Sequence, residues 1–460
     1  MAATQDKTIP SVPGRAPVIG HAYTMWKNPL SFFQKASAQG PIVRLWLGPK
    51  MAYLVSDHEM LNDILVRKAK SFDKGMQFDR ARPLLGNGIL LSEGSFHKRQ
   101  RRIMQPAFHH ESIPAYMDVM QDAADELASS WEDGQVITLY HTFYELAVQI
   151  VIKALFSTDM AEQDIAEVYR SMPIVISGVE RRSAIPTAVL DFLPTKGSKE
   201  FYAAIKRLRA IGTRIVADYR SGRTEPSQDL MTLLFASKDE GNESMTDKQI
   251  HEEFMTLLTA GSETTPSAMS WTSYLLGRYP QVQEKVQAEV DEVCADGRVT
   301  PDRLSKLEYT RRVVKESLRL YPPVWALGRR TVEEVEIGGH RLPPRTQVFY
   351  SIYAIHRDPA VYRDAEVFDP DRWERDQTPR TAFTPFGAGV RNCIGEQFAW
   401  AEIQLVLARL MSQWTFHPVG DGQVVPIAAG ALVPGPLPMR VSRRTTAAAG
   451  RPAEHLDRAR

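Results

Sequence analysis

Residues Phe386 to Gly395 read FGAGVRNCIG and place one cysteine, Cys393, in a glycine-rich loop. Arg391 stands two residues before the cysteine, and an apolar segment with helical spacing follows it. A helix N-terminus carries partial positive charge and unpaired N–H groups, which stabilise a thiolate, the form of cysteine that binds metal. The glycines let the backbone pass close to a flat group, and Arg391 can meet a negative charge on it. The loop therefore predicts a metal-ligating thiolate, and a haem with its propionates meets both demands.

A lone cysteine is more often a buried small hydrophobe than a ligand, so the surrounding pattern has to decide. The ten residues resemble, without a gap, the haem-ligand signature of the cytochrome P450 family. The resemblance extends over most of the chain, through four further motifs in the expected order. It implies a mainly α fold with small β-sheets, a haem b (iron protoporphyrin IX) cofactor with Cys393 as its axial thiolate ligand, and Phe386 and Arg391 as haem contacts.

Length and composition set the outer bounds of the fold. The chain has 460 residues, of which 43% are apolar and 24% charged, so it can bury a large core. We see no long Gly/Ser linker and no repeat that would mark a domain boundary. We therefore expect an extended N-terminal segment over residues 1–21, one compact haem-thiolate monooxygenase domain over residues 22–444, and a disordered Ala/Arg-rich tail over residues 445–460.

Charge, cysteine usage and the N-terminus limit the partners. The chain carries 56 basic and 55 acidic residues, which argues against bulk attraction to nucleic acid or an anionic membrane. If Cys393 binds iron, Cys294 has no disulfide partner, as is typical of a reducing compartment. The first 21 residues lack an apolar run long enough for a signal peptide or a membrane anchor. We expect a cytoplasmic monomer, similar to the soluble, bacterial type of the family.

A long helix is predicted between Thr246 and Tyr279. The apolar residues keep near-helical spacing, Thr246 and Gln249 can form a capping box, and Pro280 supplies the stop. The helix is hydrophobic enough to be buried.

The middle of this helix, residues 260–266, reads AGSETTP, which is unusual for a buried helix. Gly261 costs about 1 kcal/mol and Pro266 about 3 kcal/mol in a regular helix interior. Pro266 also removes a hydrogen bond, so we expect the helix to open locally into a groove beside the iron. The stretch resembles the oxygen-activation motif of the family, which implies that Glu263 and Thr264 deliver protons to oxygen. The alternative is a kink without function.

A second helical segment, Arg303 to Tyr321, contains Glu316 and Arg319 on one face. Such a pair is usually a solvated surface pair worth about 0.2–0.5 kcal/mol. The segment resembles the Glu-x-x-Arg motif of the family, in which a second arginine joins the pair. Here Arg372 would supply it, giving a structural triad that supports the cysteine loop.

Residues 97–102 read HKRQRR, and a basic run of this kind is most often a solvated helix face. His97 and Arg101 are four residues apart and share a face. They resemble a pair that binds a haem propionate in the family, and Arg329 resembles another propionate contact. The opposite face carries Lys98, Arg99 and Arg102. It could dock an acidic electron carrier, with a solvated face as the alternative.

The substrate pocket is assigned by position in the family only. The candidate lining residues are Trp325, Leu327, Ala260 and Leu432. Further walls are expected from Phe78 to Leu91, Pro173 to Leu193 and Ala429 to Val433. Most of these residues are apolar or small, so we expect a hydrophobic substrate, a terpene or a macrolide-like skeleton.

Thiolate ligation favours cleavage of the O–O bond, so the resemblance implies a monooxygenase that hydroxylates or epoxidises this substrate and inserts one oxygen atom. The sequence shows no flavin or iron–sulfur module, so electrons should come from a ferredoxin and a ferredoxin reductase that uses NAD(P)H. Two alternatives stay open: a haem-thiolate isomerase or dehydratase that needs no external electrons, and a non-catalytic haem-binding protein. The acid and alcohol of residues 263–264 argue against both.

Overall fold

The computed structural model describes residues 9–79, 81–156, 160–184, 195–223, 230–237, 243–420, 422 and 424–444. The expected disordered tail, residues 445–460, lies outside the described residues. The α-helices are α1 (Ala22–Lys27), α2 (Pro29–Ser37), α3 (His58–Asn62), α4 (Met76–Asp79), α5 (Arg82–Leu85), α6 (Gly94–Met104), α7 (Ile113–Ser130), α8 (Leu139–Phe156), α9 (Glu162–Ala184), α10 (Lys196–Arg220), α11 (Leu230–Ala236), α12 (Asp247–Arg278), α13 (Pro280–Val293), α14 (Pro301–Leu304), α15 (Glu308–Leu320), α16 (Ile352–Ile355), α17 (Arg372–Arg375) and α18 (Glu396–Gln413). A single π-helical turn, Asp63–Arg67, follows α3.

The β-strands form small sheets beside the helices, so the predicted mainly α fold with small β-sheets is confirmed. The strands are β1 (Ile42–Leu47), β2 (Lys50–Val55), β3 (Phe72–Asp73), β4 (Val136–Thr138), β5 (Leu327–Thr331), β6 (Val335–Ile337), β7 (His340–Leu342), β8 (Gln347–Tyr350), β9 (Trp414–Pro418), β10 (Ile427–Ala428), β11 (Leu432–Val433) and β12 (Pro438–Arg443). The largest sheet has the order β1-β2-β8-β5-β3, in which β2 and β8 are parallel and Val55 lies opposite Tyr350.

The N-terminal segment, as far as it is described, packs along the edge of this sheet. Ser11 pairs with Arg44 and Gly20 with Leu47 through isolated β-bridges. These contacts tie residues 11–20 to β1. None of the helices in the described part of the chain combines the length and the apolar character that spanning a bilayer requires.

Helix α12 starts where the sequence predicts. Gln249 N–H donates to Thr246 Oγ1 at 3.3 Å, and Thr246 N–H donates to Gln249 Oε1 at 2.8 Å, so the capping box is present. The helix then runs for 32 residues without a break at Gly261 or Pro266. The predicted local opening is therefore wrong at the level of the backbone. Burial of the helix by its neighbours outweighs the cost of proline there.

Helix α15 starts later than predicted. Residues 301–304 form the separate turn α14, and α15 begins at Glu308. The carboxylate of Glu289 on α13 accepts hydrogen bonds from the backbone N–H groups of Tyr309 at 2.6 Å and Thr310 at 2.8 Å. These bonds satisfy two of the unpaired N–H groups of a helix start, which fixes the start there.

Helix α12 lies at the centre of the helical core and packs closely on α8. The rings of Phe156 and Phe254 lie 4.5 Å apart, and a Cβ atom on Gly261 would come within 2.6 Å of Val151 Cγ2. Gly261 therefore lets the two helices approach each other. Helix α18 packs on α7, where the rings of Tyr116 and Phe398 lie 5.6 Å apart. The cysteine loop enters this core directly before α18.

Candidate active site

The cysteine loop is closed by its own backbone. Cys393 N–H donates to the carbonyl of Phe386 at 2.8 Å. Gly387 and Gly389 have φ values of 72° and 67°, a region that favours glycine. A Cβ atom on Gly389 would also overlap the carbonyl oxygen of Leu65 in the π-helical turn. Only glycine fits both demands, so the loop is pressed against the turn and holds Cys393 three residues before α18.

The Cys393 thiol faces an internal space. Its side chain is exposed, yet desolvation by the surrounding protein raises the pKa of the thiol to about 11. The Gly395 N–H and the Arg101 guanidinium oppose this shift. A sulfur can have accessible surface and still be desolvated when that surface borders a cavity enclosed by protein. The high pKa belongs to the thiol without metal, because coordination to a metal ion deprotonates a thiol outright.

One turn in the middle of α12 is accessible as well. The helix is buried over most of its length, but Ala260 is exposed, and Gly261, Glu263 and Thr264 are partly exposed. Thr264 Oγ1 donates to the carbonyl of Ala260 at 2.9 Å. Burial raises the pKa of Tyr144 on α8 above its ordinary range, and the nearby charge of Glu263 adds to this shift. The acid and the alcohol thus lie on this accessible turn in the middle of the helix.

A buried acid lies behind that turn and was missed in the sequence. Glu402 on α18 is fully buried, and its Oε1 accepts a hydrogen bond from Thr265 Oγ1 at 3.2 Å. Glu402 Oε2 has no partner among the described residues. Burial raises the pKa of this carboxyl to about 8, although the bond from Thr265 opposes the shift. The sequence showed only a glutamate in an apolar helical stripe, which does not reveal burial.

A cluster of basic groups lies beside the cysteine loop. Its members are Lys74, His97, Arg101, Arg329 and Arg391. Burial, together with the charges of Arg391 and Arg329, lowers the pKa of Lys74 to about 7, although Glu93 and Glu253 oppose this shift. Burial, together with Arg391, Lys74 and Arg101, lowers the pKa of His97 to about 3, so His97 is neutral. Lys74 was not predicted, because one lysine in a mixed loop carries no pattern.

Two members of this cluster already have strong partners. Arg101 donates to the backbone carbonyl and to Oδ1 of Asn392, at 2.7 Å each, and so holds the residue before the cysteine. Arg391 donates to the carbonyl of Ser92 at 2.5 Å and pairs with the carboxylate of Glu93.

The other members lack a carboxylate partner of this strength. Arg329 is 9% exposed and donates to the carbonyl of Gly328 at 2.9 Å, with no carboxylate bonded to it among the described residues. The His97 ring is buried and has no hydrogen-bond partner in the described part of the chain. Buried cations normally require an anion. Two propionates would supply an anion for Arg329, Lys74 and His97, and together with the exposed Cys393 sulfur these residues form a donor set that fits haem.

The predicted arginine–glutamate triad comes together in the structure. Arg319 Nε donates to Glu316 Oε2 at 2.9 Å and Arg319 Nη2 to Glu316 Oε1 at 2.8 Å. Arg372 Nε donates to Glu316 Oε1 at 2.9 Å. All three side chains are fully buried, and the guanidinium groups also donate to the backbone carbonyls of His356, Ala365 and Val367 and of Arg363 and Asp364. The triad thus binds the segment that precedes the cysteine loop.

The structure gives each proposed lining residue defined surroundings. Ala260 lies on the exposed turn, whereas Leu432 is fully buried and its carbonyl accepts bonds from Ser267 Oγ and Trp271 Nε1 at 2.7 Å each. Trp325 donates its indole N–H to the carbonyl of Ala429 at 2.9 Å. Leu327, half-buried in β5, packs against the core of the largest sheet. Of the expected wall Pro173 to Leu193, residues 185–193 lie outside the described residues.

The three basic residues of this face of α6 do not share one surrounding. Lys98 and Arg102 are exposed and line a surface depression of about 810 Å³ next to the cysteine loop, together with Arg101, His109 and Val390. Arg99 points elsewhere and donates to the carbonyls of Glu243 and Ser244 at 3.3 and 3.5 Å. The depression therefore combines accessible positive charge with a short path to Cys393.

Comparisons with known proteins give the same result as the geometry. The family model "Cytochrome P450" matches residues 10–442. The chain is 39% identical to cyclooctatin synthase of Streptomyces melanosporofaciens, over 93% of this chain and 94% of that protein. It is 38% identical to cyclooctat-9-en-7-ol 5-monooxygenase of the same organism, over 94% and 95%. Pentalenene oxygenase of Streptomyces avermitilis is 36% identical, over 95% and 97%.

A solved structure, the heme domain of cytochrome P450DA, superimposes with a TM-score of 0.84 at 25% identity and covers 95% of this chain and 98% of that one. The match extends over the helices and sheets that hold the cysteine loop, the exposed turn of α12 and the buried triad. By sequence, by fold and by the chemistry of its donor set, the chain belongs to the cytochrome P450 family and is a haem-thiolate monooxygenase.

Proposed function

We propose that this monooxygenase oxidises a terpene hydrocarbon or its alcohol. The observation that carries the proposal is the exposed turn of α12, where the small side chain of Ala260 stands next to the acid and alcohol pair and leaves room for an apolar group. The names of two relatives indicate the same chemistry, since pentalenene is an alkene and cyclooctat-9-en-7-ol is an alkenol. Substrates of this kind match an apolar pocket with few polar contacts.

In the proposed mechanism the side chains of this chain hold the haem and move protons. Cys393 would bind the haem iron as its thiolate, and Lys74, His97 and Arg329 would hold the propionates. Haem with a thiolate ligand supplies the cleavage of the O–O bond and the insertion of one oxygen atom. Glu263 would take up protons at its carboxylate and release them at the exposed turn through ordered water. The Thr264 hydroxyl, which donates its own proton to the carbonyl of Ala260 at 2.9 Å, would orient that water by accepting a hydrogen bond from it. The walls exclude bulk water from this transfer.

We further propose a ferredoxin, reduced by an NAD(P)H-dependent reductase, as the electron donor. The depression next to the cysteine loop exposes Lys98 and Arg102, and an acidic carrier would be steered to it electrostatically. We also propose a cytoplasmic location, because Cys294 and Cys393 form no disulfide, as is typical of proteins in a reducing compartment.

The proposal is tested by a titration of the ferric protein with pentalenene, other cyclic terpenes, macrolides, steroids and fatty acids, followed in the Soret band. We expect cyclic terpenes to give the largest conversion to high spin, and oxidised products when ferredoxin, reductase and NADPH are added. A shift with fatty acids or macrolides but not with terpenes would overturn the substrate class.

The ligand assignment has a matched pair of variants. Cys393→Ser should abolish the long-wavelength Soret band of the ferrous carbon monoxide complex that is typical of thiolate ligation, whereas Cys294→Ser should keep it. Cys294 is buried in the core near the end of α13, so it serves as a control for loss of a thiol. If Cys294→Ser loses the band and Cys393→Ser keeps it, the assignment is wrong.

A further inference from the structure

Three adjacent side chains that can bind metal lie on the surface between α6 and α7. A short 3₁₀-helical turn, Gln105–Phe108, follows α6, and His109, His110 and Glu111 come between this turn and α7. All three side chains are exposed, and one ligand atom from each lies within 4.8 Å of the other two. His109 Nδ1 is 3.9 Å from Glu111 Oε2, and the rings of His109 and His110 lie 4.5 Å apart. Two imidazoles and one carboxylate thus converge outside the haem site.

Backbone and side-chain hydrogen bonds fix the turn that carries these residues. Ser112 N–H donates to the carbonyl of His109 at 2.9 Å, and Ser112 Oγ donates to the carbonyl of Pro106 at 2.8 Å. The N–H of His109 donates to the same carbonyl of Pro106 at 3.2 Å. Residues 109–112 are therefore tied between two helical segments, so a bound ion would not have to order a loose loop.

The chemistry of the three donors favours zinc. Imidazole nitrogens bind Zn²⁺, Ni²⁺ and Cu²⁺, whereas Mg²⁺ and Ca²⁺ prefer sites built from oxygen atoms. Ni²⁺ and Cu²⁺ favour square-planar or tetragonal arrangements, but Zn²⁺ has no such preference and accepts two histidines and one glutamate with a water in the fourth position. Ligand atoms around a tetrahedral zinc ion lie about 3.4 Å apart, so small rotations of these exposed side chains would complete the site.

The three donors also border the surface depression next to the cysteine loop. His109 and Glu111 line this depression, whose wall carries Lys98 and Arg102 as well. Among the described residues that line it, Glu111 alone has a carboxylate. An ion bound to Glu111 would cancel this negative charge and leave the wall entirely positive. The nearby cations oppose a further positive charge, although salt screens them beyond about 8 Å.

We propose that His109, His110 and Glu111 bind one Zn²⁺ ion at the edge of the depression, and that the bound ion strengthens the attraction of the depression for an acidic protein. The zinc site stands on its own geometry, whereas its effect on electron delivery rests on the proposed ferredoxin. Zinc itself exchanges no electrons, so the ion acts through its charge alone.

The binding test is a calorimetric titration of the haem-loaded protein, without an affinity tag, with Zn²⁺. We expect one ion per chain, bound roughly tenfold or more weakly by His110→Ala and by Glu111→Gln. A large excess of Mg²⁺ or Ca²⁺ should not displace the zinc. His141→Ala is the matched control, because His141 Nδ1 lies 3.6 Å from Glu145 Oε2 in an exposed pair without a second histidine beside it. This variant should bind zinc as the wild type does.

The second test measures reduction of the ferric protein by a ferredoxin with and without Zn²⁺. Zinc should lower the apparent KM for ferredoxin by roughly twofold or more in the wild type, since an acidic protein is steered by the charge of the wall. It should have no effect in His110→Ala, which removes a zinc ligand that is not part of the wall. Glu111→Gln, which lacks the negative charge, should have the lower KM without zinc.

Three results would overturn the zinc site: a wild type that binds no zinc, an affinity that is unchanged in His110→Ala or falls equally in His141→Ala, and displacement of zinc by Mg²⁺ or Ca²⁺. A KM that zinc leaves unchanged in the wild type, or changes equally in His110→Ala, would overturn its effect on the depression. If ferredoxin does not reduce the protein at all, the proposed electron donor is wrong, and calorimetry alone decides the zinc site.

Discussion

Replacing Glu402 with Gln should remove a pH dependence from the stability of the protein. The carboxyl group is fully buried behind the exposed turn of α12, and burial raises its pKa to about 8. Glutamine has almost the same shape, and its amide oxygen can still accept the bond from Thr265 Oγ1. The substitution therefore removes the ionisable proton and little else.

The magnitude follows from the difference in pKa between the two states. The unfolded chain ionises this carboxyl near its ordinary pKa of 4.5, whereas the folded protein keeps it protonated up to about pH 8. Between these values the folded state binds more protons, so the free energy of unfolding falls by about 1.4 kcal/mol for each pH unit. The loss is absent below pH 4.5 and reaches roughly 3 kcal/mol at pH 7.

The assay is thermal unfolding of wild type and Glu402→Gln by circular dichroism at pH 5, 6, 7 and 8. For a chain of this length, 1 kcal/mol corresponds to about 1 °C in Tm. The variant should be more stable by about 1 °C or less at pH 5 and by about 4 °C at pH 8. Glu284→Gln, the same change on an exposed side chain of α13, should show no such trend. A difference that stays constant from pH 5 to 8 would refute the protonated state of Glu402.

Other perturbations have equally definite outcomes. Glu316→Ala leaves two buried guanidinium groups without a carboxylate, so it should cost about 3–5 kcal/mol of unfolding free energy and lose bound haem on purification. A stable, haem-loaded variant would contradict the role of the triad. Arg329→Leu should speed haem transfer to apomyoglobin roughly tenfold or more, since a bond to a charged group is worth about 1.5–3 kcal/mol, while Arg330→Leu, which breaks a partly exposed pair, should not. Gly389→Ala should prevent haem incorporation, because its Cβ atom would overlap the carbonyl oxygen of Leu65. Gly134→Ala, at a similar φ with open space around it, should cost only about 1 kcal/mol in thermal unfolding. Equal effects of the two variants would mean that backbone strain, and not the overlap, decides.

Local patterns predicted the elements of this fold well. The capping box at Thr246, the stop at Pro280 and the glycine-rich loop around Cys393 are short-range signals, because each depends on residues within a few positions of one another. The start of α15 was misjudged for the opposite reason. The carboxylate that fixes it, Glu289, is about twenty residues away in the chain and acts through a contact that only the folded protein makes.

Candidate site residues could be identified from the sequence where they belong to a motif. Residues whose protonation is altered by burial could not be identified in this way. Cys393 and Thr264 belong to motifs, and the structure leaves Cys393 exposed and Thr264 partly exposed. Lys74, Glu253 and Glu402 look like ordinary surface residues in the sequence, since charged residues are almost never fully buried. Their altered protonation arises from desolvation by distant parts of the chain, and no local spacing encodes it.

The unbroken course of α12 has a consequence for how this enzyme can change. Glu253 and Thr264 are eleven residues apart on a single continuous helix, so the distance along its axis, about 16 Å, is a constant of helical geometry. Loops around the pocket can lengthen, shorten or exchange side chains, and this spacing stays the same. Because the helix is continuous, changes in the surrounding loops can alter the cavity walls without changing the distance between its first turns and its exposed turn.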